Sequence, residues 1–318
     1  EGIDVVPLEE YCKKIEAAAE IALSFIQFLD NKQTQRNKKE PREEKSTVYY
    51  DITQGVRSFY HESFEFTNYL SSIECQAVNV PLILVKGEAG VGKSHLLADV
   101  VERRRKDGQY SLLFLGQDFN TQDDPWTQIF KQLKFSGTEE QFLQALEAKA
   151  ETTGKRIVIF VDALNEGGGE TLWSKHLKSF VNQIKEYPWI GLVVTIRTTY
   201  FKAILGDEDS YGFLKLSHRG FEGKSSDAIK LFFKNSGIAL PYVPLLLPEF
   251  QNPLFLKVFC EGLQKNGLTR IDEGIQGISS VFSLFLDGVE RELSSPSKKD
   301  YLPELRLVHK AVNKLIDF

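Results

Sequence analysis

The stretch GEAGVGKSHLL, residues 87–97, constrains this chain more than any other. Gly87, Gly92, Lys93 and Ser94 complete the pattern GxxxxGK[ST], which gains its meaning from context: an apolar strand before it and a helix after it. Both are present. PLILV at 81–85 precedes it, and Leu96, Leu97 and Val100 start a helical face behind it. Glycines let the backbone curl so that several N–H groups point at one anion, and a helix N-terminus adds favourable partial charge there. Gly87, Glu88, Ala89, Gly90, Val91, Gly92, Lys93, Ser94 and His95 are therefore the expected phosphate cradle of a nucleotide site. Lys93 would reach the β- and γ-phosphates, and the Ser94 hydroxyl would face Mg²⁺.

Three further apolar runs lack alternation: YSLLFL at 110–115, IVIFV at 157–161 and IGLVV at 190–194. Strands buried on both faces of a parallel sheet read this way. Helical segments separate them, which predicts an α/β domain over residues 50–217. Ligands in such sheets sit at the carboxyl ends of the strands. Asp162 ends IVIFVD and is the expected second metal anchor, opposite Ser94. Glu166, four residues on, could polarise a water that attacks the γ-phosphate; the rival reading is a solvated loop carboxylate. Arg197 ends GLVVTIR and could stabilise negative charge on that phosphate; the rival there is an ion pair with a loop carboxylate. Thr195, Thr198 and Thr199 are weaker polar candidates, and His218 and Arg219, after an edge strand, default to structural roles.

The ends of the chain have a different character. Leu8, Cys12, Ile15, Ala19, Ala22, Ile26 and Leu29 form a helical stripe, and residues 30–47 are almost entirely polar, which predicts a solvated linker or loop. Residues 1–49 thus form an expected N-terminal helix and charged linker. Residues 218–318 are expected to be a helical domain that could include the start of a winged-helix domain. Within it Asn252–Pro253 reads as a helix start, Leu256, Phe259, Cys260 and Leu263 share a face, and Gly267 stops the helix. Ile278, Val281, Phe282, Phe285 and Val289 mark another stripe, and a third begins near Leu305. The net charge of −5 gives no general attraction to nucleic acid or anionic membrane. The basic run RRRK at 103–106 suits the last turn of the helix after the phosphate loop. No apolar run is long enough to span a bilayer. Cys12, Cys75 and Cys260 show no metal or disulfide spacing, and a cytoplasmic protein with reduced thiols is expected.

Four segments in this order, GEAGVGKSHLL, VIFVDALNEGG, VVTIRTTY and FQNPLFLKVFCEGL, resemble the STAND class of P-loop NTPases, which includes NACHT and apoptotic-type ATPases. The chain is most similar to the bacterial antiviral, Avs-type branch, over about residues 50–265. The resemblance implies an ASCE-type three-layer α/β/α core with sheet order 5-1-4-3-2. It implies that Arg197 is the sensor arginine after the fourth strand. Pro253 would match the proline of the helical-domain GxP motif near adenine, although Gln251 stands where that motif has glycine. The stretch around Arg57 is similar to the family's adenine-contact segment before the first strand. Where the family has two acids after the Asp162 strand, this chain has Asn165 and Glu166. That substitution implies slow Mg²⁺-dependent ATP hydrolysis. Family members are switches: ADP holds a closed monomer, and ATP permits opening, homo-oligomerisation and activation of a fused effector. A trigger, such as a phage protein, would be sensed by regions beyond these residues, with no membrane and no direct nucleic-acid contact expected. Two readings compete with the switch. One is an AAA-type DNA-loading or remodelling ATPase, for which Arg270, Arg291 and Arg306 are unranked lid arginines. The other is a small-molecule kinase.

Overall fold

The computed structural model describes residues 5–37, 47–206, 211–240, 248–271, 277–293 and 306–316. Five strands form a sheet: β1 (Leu82–Gly87), β2 (Ser111–Leu115), β3 (Ile157–Asp162), β4 (Ile190–Arg197) and β5 (Leu214–Ser217). All pairings are parallel and the order is β2-β3-β4-β1-β5. Read from the other edge this is 5-1-4-3-2, the expected α/β P-loop fold with a helical part behind it. Continuous apolar runs produced it because residues of both parities along each strand are covered. Leu82, Leu84, Ile159, Val161, Leu192, Val194 and Ile196 enter one large core, while Val85 and Phe160, of the other parity, are also buried.

Helices cover the sheet. α4 (Lys93–Lys106) lies against β2 and β3. α5 (Pro125–Leu133), α6 (Glu139–Thr153) and α7 (Gly169–Lys185) supply the aromatic heart of the core, where Trp126 sits 4.6 Å from Phe180 and Trp173 sits 5.1 Å from Phe119. The helix starts are built in: Asp124 caps α5 ahead of Pro125, and Thr138 with Gln141 forms a reciprocal capping box on α6. α8 (Phe201–Leu205) follows β4. The RRRK run occupies the last turn of α4, and Arg104 donates to the Tyr110 and Arg156 carbonyls and to Ser111 Oγ. It therefore ties the helix to the sheet.

Beyond β5, α9 (Ser225–Ser236) and α10 (Pro253–Lys265) enclose a second cluster around Phe233, Phe250, Leu256, Phe259 and Leu263. α11 (Gly277–Leu293) packs on α10, and α12 (Leu307–Ile316) packs on α11. At the other end, α1 (Val5–Asn37) and α2 (Thr47–Leu70) pair as an antiparallel hairpin, in which Thr67 Oγ1 donates to Glu16 and Tyr60 Oη to Glu20. The expected linker from residue 30 is corrected here: α1 continues to Asn37, because Gln, Lys and Arg are good helix formers even without an apolar stripe. α2 also runs across residues 49 and 50, where the core was expected to begin. α3 (Ile73–Asn79) leads from the hairpin to β1 and packs on the hairpin through Cys12, Leu70 and Cys75. Arg156 holds that joint by donating to the carbonyls of Val78 at 3.0 Å and Pro188 at 3.0 Å. The rest of the expected linker (residues 38–46), the Leu305 start of the third C-terminal stripe, and the side chains of Leu8, Ile278 and Val281 lie outside the described residues.

Candidate functional site

Parallel register decides which strand tips meet. Gly87 on β1 pairs with Arg197 on β4, and Val161 on β3 pairs with Val194. Asp162 therefore reaches the sheet edge beside Thr195, and Arg197 stands beside the start of the phosphate loop. β1, β3 and β4 end at one edge, where the phosphate loop, Asp162 and Arg197 come together.

The loop turns into α4 through Gly90 at φ 74° and Gly92 at φ 99°, a left-handed backbone that favours glycine. Gly87 and Glu88 do not line the cleft. Their carbonyls instead accept from Lys93 Nζ, at 2.8 and 2.9 Å. Lys93 is only 8% exposed. Burial pushes its ammonium below the ordinary lysine value and Arg197 adds to the fall, against the opposing pull of Asp162, Glu88 and Glu166. Two cations thus share a pocket whose nearby anions do not restore the lysine to its usual value. A polyphosphate is the kind of ligand that relieves that imbalance.

Asp162 is 6% exposed and its Oδ1 accepts from the Thr195 hydroxyl at 2.6 Å. The same hydroxyl oxygen accepts from the Ala163 amide at 2.7 Å, and the Leu164 amide donates to the Thr195 carbonyl. Ala163 sits at φ 55°, a conformation that costs a non-glycine residue roughly 1–2 kcal/mol. Thr195 holds that turn and, with it, the carboxylate. Among the described residues, the hydrogen bonds of Asp162 involve Oδ1, which leaves Oδ2 and the Ser94 hydroxyl as hard oxygen donors of the type Mg²⁺ takes. The residues present fit that ion. Thr195 was only a weak candidate by sequence. Its partner lies 33 positions away, and only the β3–β4 register brings them together.

Glu166 and Arg197 find each other: Arg197 Nη2 lies 3.3 Å from Glu166 Oε1, both about 40% exposed. The Arg197 amide donates to Asn165 Oδ1 at 3.0 Å. The rival readings, a loop carboxylate and an arginine paired with one, therefore describe a single contact.

The cleft holds about 560 Å³. Ala89 to His95, Asp162, Glu166, Arg197 and Pro253 all line it. Arg57 lies exposed on α2 and is not among the lining residues. Sequence reasoning missed Phe221, Phe232 and Lys257, and gave His218 only a structural default. His218 follows β5 at the same sheet edge, so the strand-end rule could have found it. The two phenylalanines carried no such signal. They pack edge to face at 5.9 Å and form an apolar wall suited to a flat ring.

The far wall of the cleft is the start of α10. Asn252 caps this helix, accepting from the Leu254 and Phe255 amides, and its side-chain amide donates to the Ala89 carbonyl. The Leu254 amide also donates to the Gly90 carbonyl at 3.2 Å. A side chain at Gly90 would come within 2.7 Å of Leu254 Cβ. The helical part therefore rests directly on the phosphate loop.

No helix among the described residues is long and apolar enough to cross a membrane. No family model matches the chain, and no curated protein matches it. Solved structures match at low similarity. The Walker-type ATPase PABY2304 of Pyrococcus abyssi is 15% identical, over 77% of this chain and 75% of that one, with a TM-score of 0.45. Cdc6p from Pyrobaculum aerophilum is 14% identical, over 59% and 57%, with a TM-score of 0.38. AMPPCP-bound DnaA from Aquifex aeolicus is 13% identical, over 82% and 89%, with a TM-score of 0.37.

Proposed function

We propose that this chain is the ATP- and ADP-binding module of a STAND-type molecular switch that hydrolyses ATP slowly with Mg²⁺. The observation that carries the proposal is the single cleft in which the phosphate loop, Asp162, Glu166 and Arg197 face the start of α10. Lys93, Ser94 and the loop amides would bind the β- and γ-phosphates. Asp162 and Ser94 would hold Mg²⁺, which supplies charge neutralisation on the phosphates when bound. Phe221, Phe232 and Pro253 would take the base. Arg197 would pair with the γ-phosphate, and Glu166 would orient the attacking water. Glu166 is engaged by Arg197 in the structure, which favours slow turnover over fast.

The site also supports the switch reading. A ligand shifts a conformational equilibrium only through differential affinity for its two states. The γ-phosphate contact through Arg197 and the seat of α10 on the loop would supply that difference. On this reading the NTPase core runs up to residue 217, residues 218–318 form the helical part and the α1–α2 hairpin is the N-terminal connector. Nucleotide-controlled homo-oligomerisation would activate a fused effector in bacterial antiphage defence, in the cytoplasm.

Titration calorimetry with ATP and ADP in Mg²⁺ buffer tests the site. Lys93→Ala is expected to weaken ATP binding more than 100-fold, and unchanged affinity would refute the proposal. Glu166→Gln is expected to keep ATP affinity and lower turnover about 10²-fold, the lower range for losing a general base. Turnover equal to the parent removes Glu166 from the catalytic role. Rapid turnover stimulated by DNA would favour the remodelling ATPase.

A further inference from the structure

The N-terminal hairpin carries apolar residues that its own fold does not use. The inner seam of α1 consists of Cys12, Ala19 and Ile26, all buried against α2. One position earlier, Tyr11, Ala18, Ile21, Phe25 and Phe28 recur at steps of seven, three, four and three, and all are exposed. On α2 the inner seam runs through Val56, Ser63, Thr67 and Leu70. One position earlier along that spacing, Ile52, Phe59, Phe66 and Tyr69 recur at steps of seven, seven and three, again exposed. Such three-and-four spacing is the seam of a coiled coil, not of a single surface helix.

The directions of these stripes matter. In each helix the outer stripe is turned about 100° from the inner seam, toward the preceding residue. Because the two helices are antiparallel, the same step along each chain turns both stripes toward the same side of the hairpin. The two stripes therefore merge into one apolar face two helices wide. Ile21 is 71% exposed and Phe25 58%.

We infer that this face is an interface with a second copy of the same chain, closing a four-helix bundle. Two observations select that occupant. The first is area: eight large apolar side chains, each about half exposed and worth roughly 150–250 Å² when buried if aromatic, offer roughly 800 Å², the share of one partner in a standard interface. The second is charge. Basic Lys32 edges the α1 stripe, lying 4.7 Å over the Phe28 ring, while Lys14 on the same stripe is already paired with Glu10; acids, Asp51 and Glu62, edge the α2 stripe. A two-fold axis along the bundle puts α1 of one copy antiparallel to α2 of the other at unchanged height. The Thr67–Glu16 contact sets the level within one hairpin. At that level Lys32 of one copy meets Asp51 of the other. The face is self-complementary, as a two-fold interface requires. This interface is independent of the nucleotide reading.

The test uses the full 318-residue chain without nucleotide. Sedimentation velocity across 0.5–50 µM (about the range where such interfaces assemble) is expected to show a monomer–dimer equilibrium. Phe25→Glu with Phe66→Glu should weaken association at least tenfold, with unchanged far-ultraviolet dichroism and ATP affinity. Lys32→Cys chains mixed with Asp51→Cys chains should give a covalent dimer on mild oxidation, and neither variant alone should do so efficiently. A monomer throughout that concentration range overturns the inference. So does a dimer that the double substitution leaves intact, or a monomer that instead binds vesicles of phosphatidylcholine and phosphatidylglycerol through this face.

Discussion

The strand tips around Asp162 and the N-terminal hairpin are built on opposite plans. At the strand tips the buried polar groups are few and committed to partners: Lys93 to two carbonyls, Thr195 to Asp162 and the Ala163 amide. Behind them stands a continuous core in which Trp173, Phe180 and Leu192 are essentially inaccessible. In the hairpin the inner seam is made of small and aliphatic side chains, while most of its aromatic ones face outward. The first region is specified from within. The second is incomplete alone, with more apolar surface than it can bury. Density of packing therefore separates a part that fixes chemistry from a part that waits for a neighbour.

Three stability measurements would break or sharpen this contrast. Phe180→Ala removes a fully buried ring between Trp126 and Trp173 and is expected to cost about 3–5 kcal/mol in chemical denaturation, for the lost burial and the cavity left behind. Thr195→Val keeps the shape but strips Asp162 and the Ala163 amide of a shared partner, at about 1–3 kcal/mol. It should also weaken the dependence of nucleotide affinity on Mg²⁺ more than affinity without the ion. Phe25→Gln trades one exposed side chain for a good helix former and should change stability by less than about 0.5 kcal/mol at concentrations below dimerisation. A cost there near that of Phe180→Ala would mean the hairpin is as tightly specified as the core.

What the sequence disclosed follows the same divide. Strands buried on both faces leave unbroken apolar runs, so β1, β3 and β4 could be read directly, and the strand-end rule pointed to Asp162 and Arg197. Asn252 and Pro253 announced α10 because a cap is a local chemical signal. Three features stayed hidden because their causes lie far apart in the chain. Thr195 needs the β3–β4 register to find Asp162. Phe221 and Phe232 share the cleft with the phosphate loop only through the packing of the helical part against that edge of the sheet. α2 escaped notice because Ile52, Phe59, Phe66 and Tyr69 form an outward stripe rather than a core-facing one, and α1 outran its inward stripe on helix propensity alone.

The seat of Leu254 and Asn252 on Ala89 and Gly90 has a mechanical consequence. On the proposed switch reading, a signal from an arriving phosphate would not have to cross the protein to reach the helical part, because the Leu254 amide donates to the Gly90 carbonyl. On that reading a shift in the curl of the loop would lever α10 at its very root, and a small rotation there would grow along the length of the helix. Gly90 is the fulcrum. A larger residue at that position would prise the two parts apart whether or not a nucleotide had come.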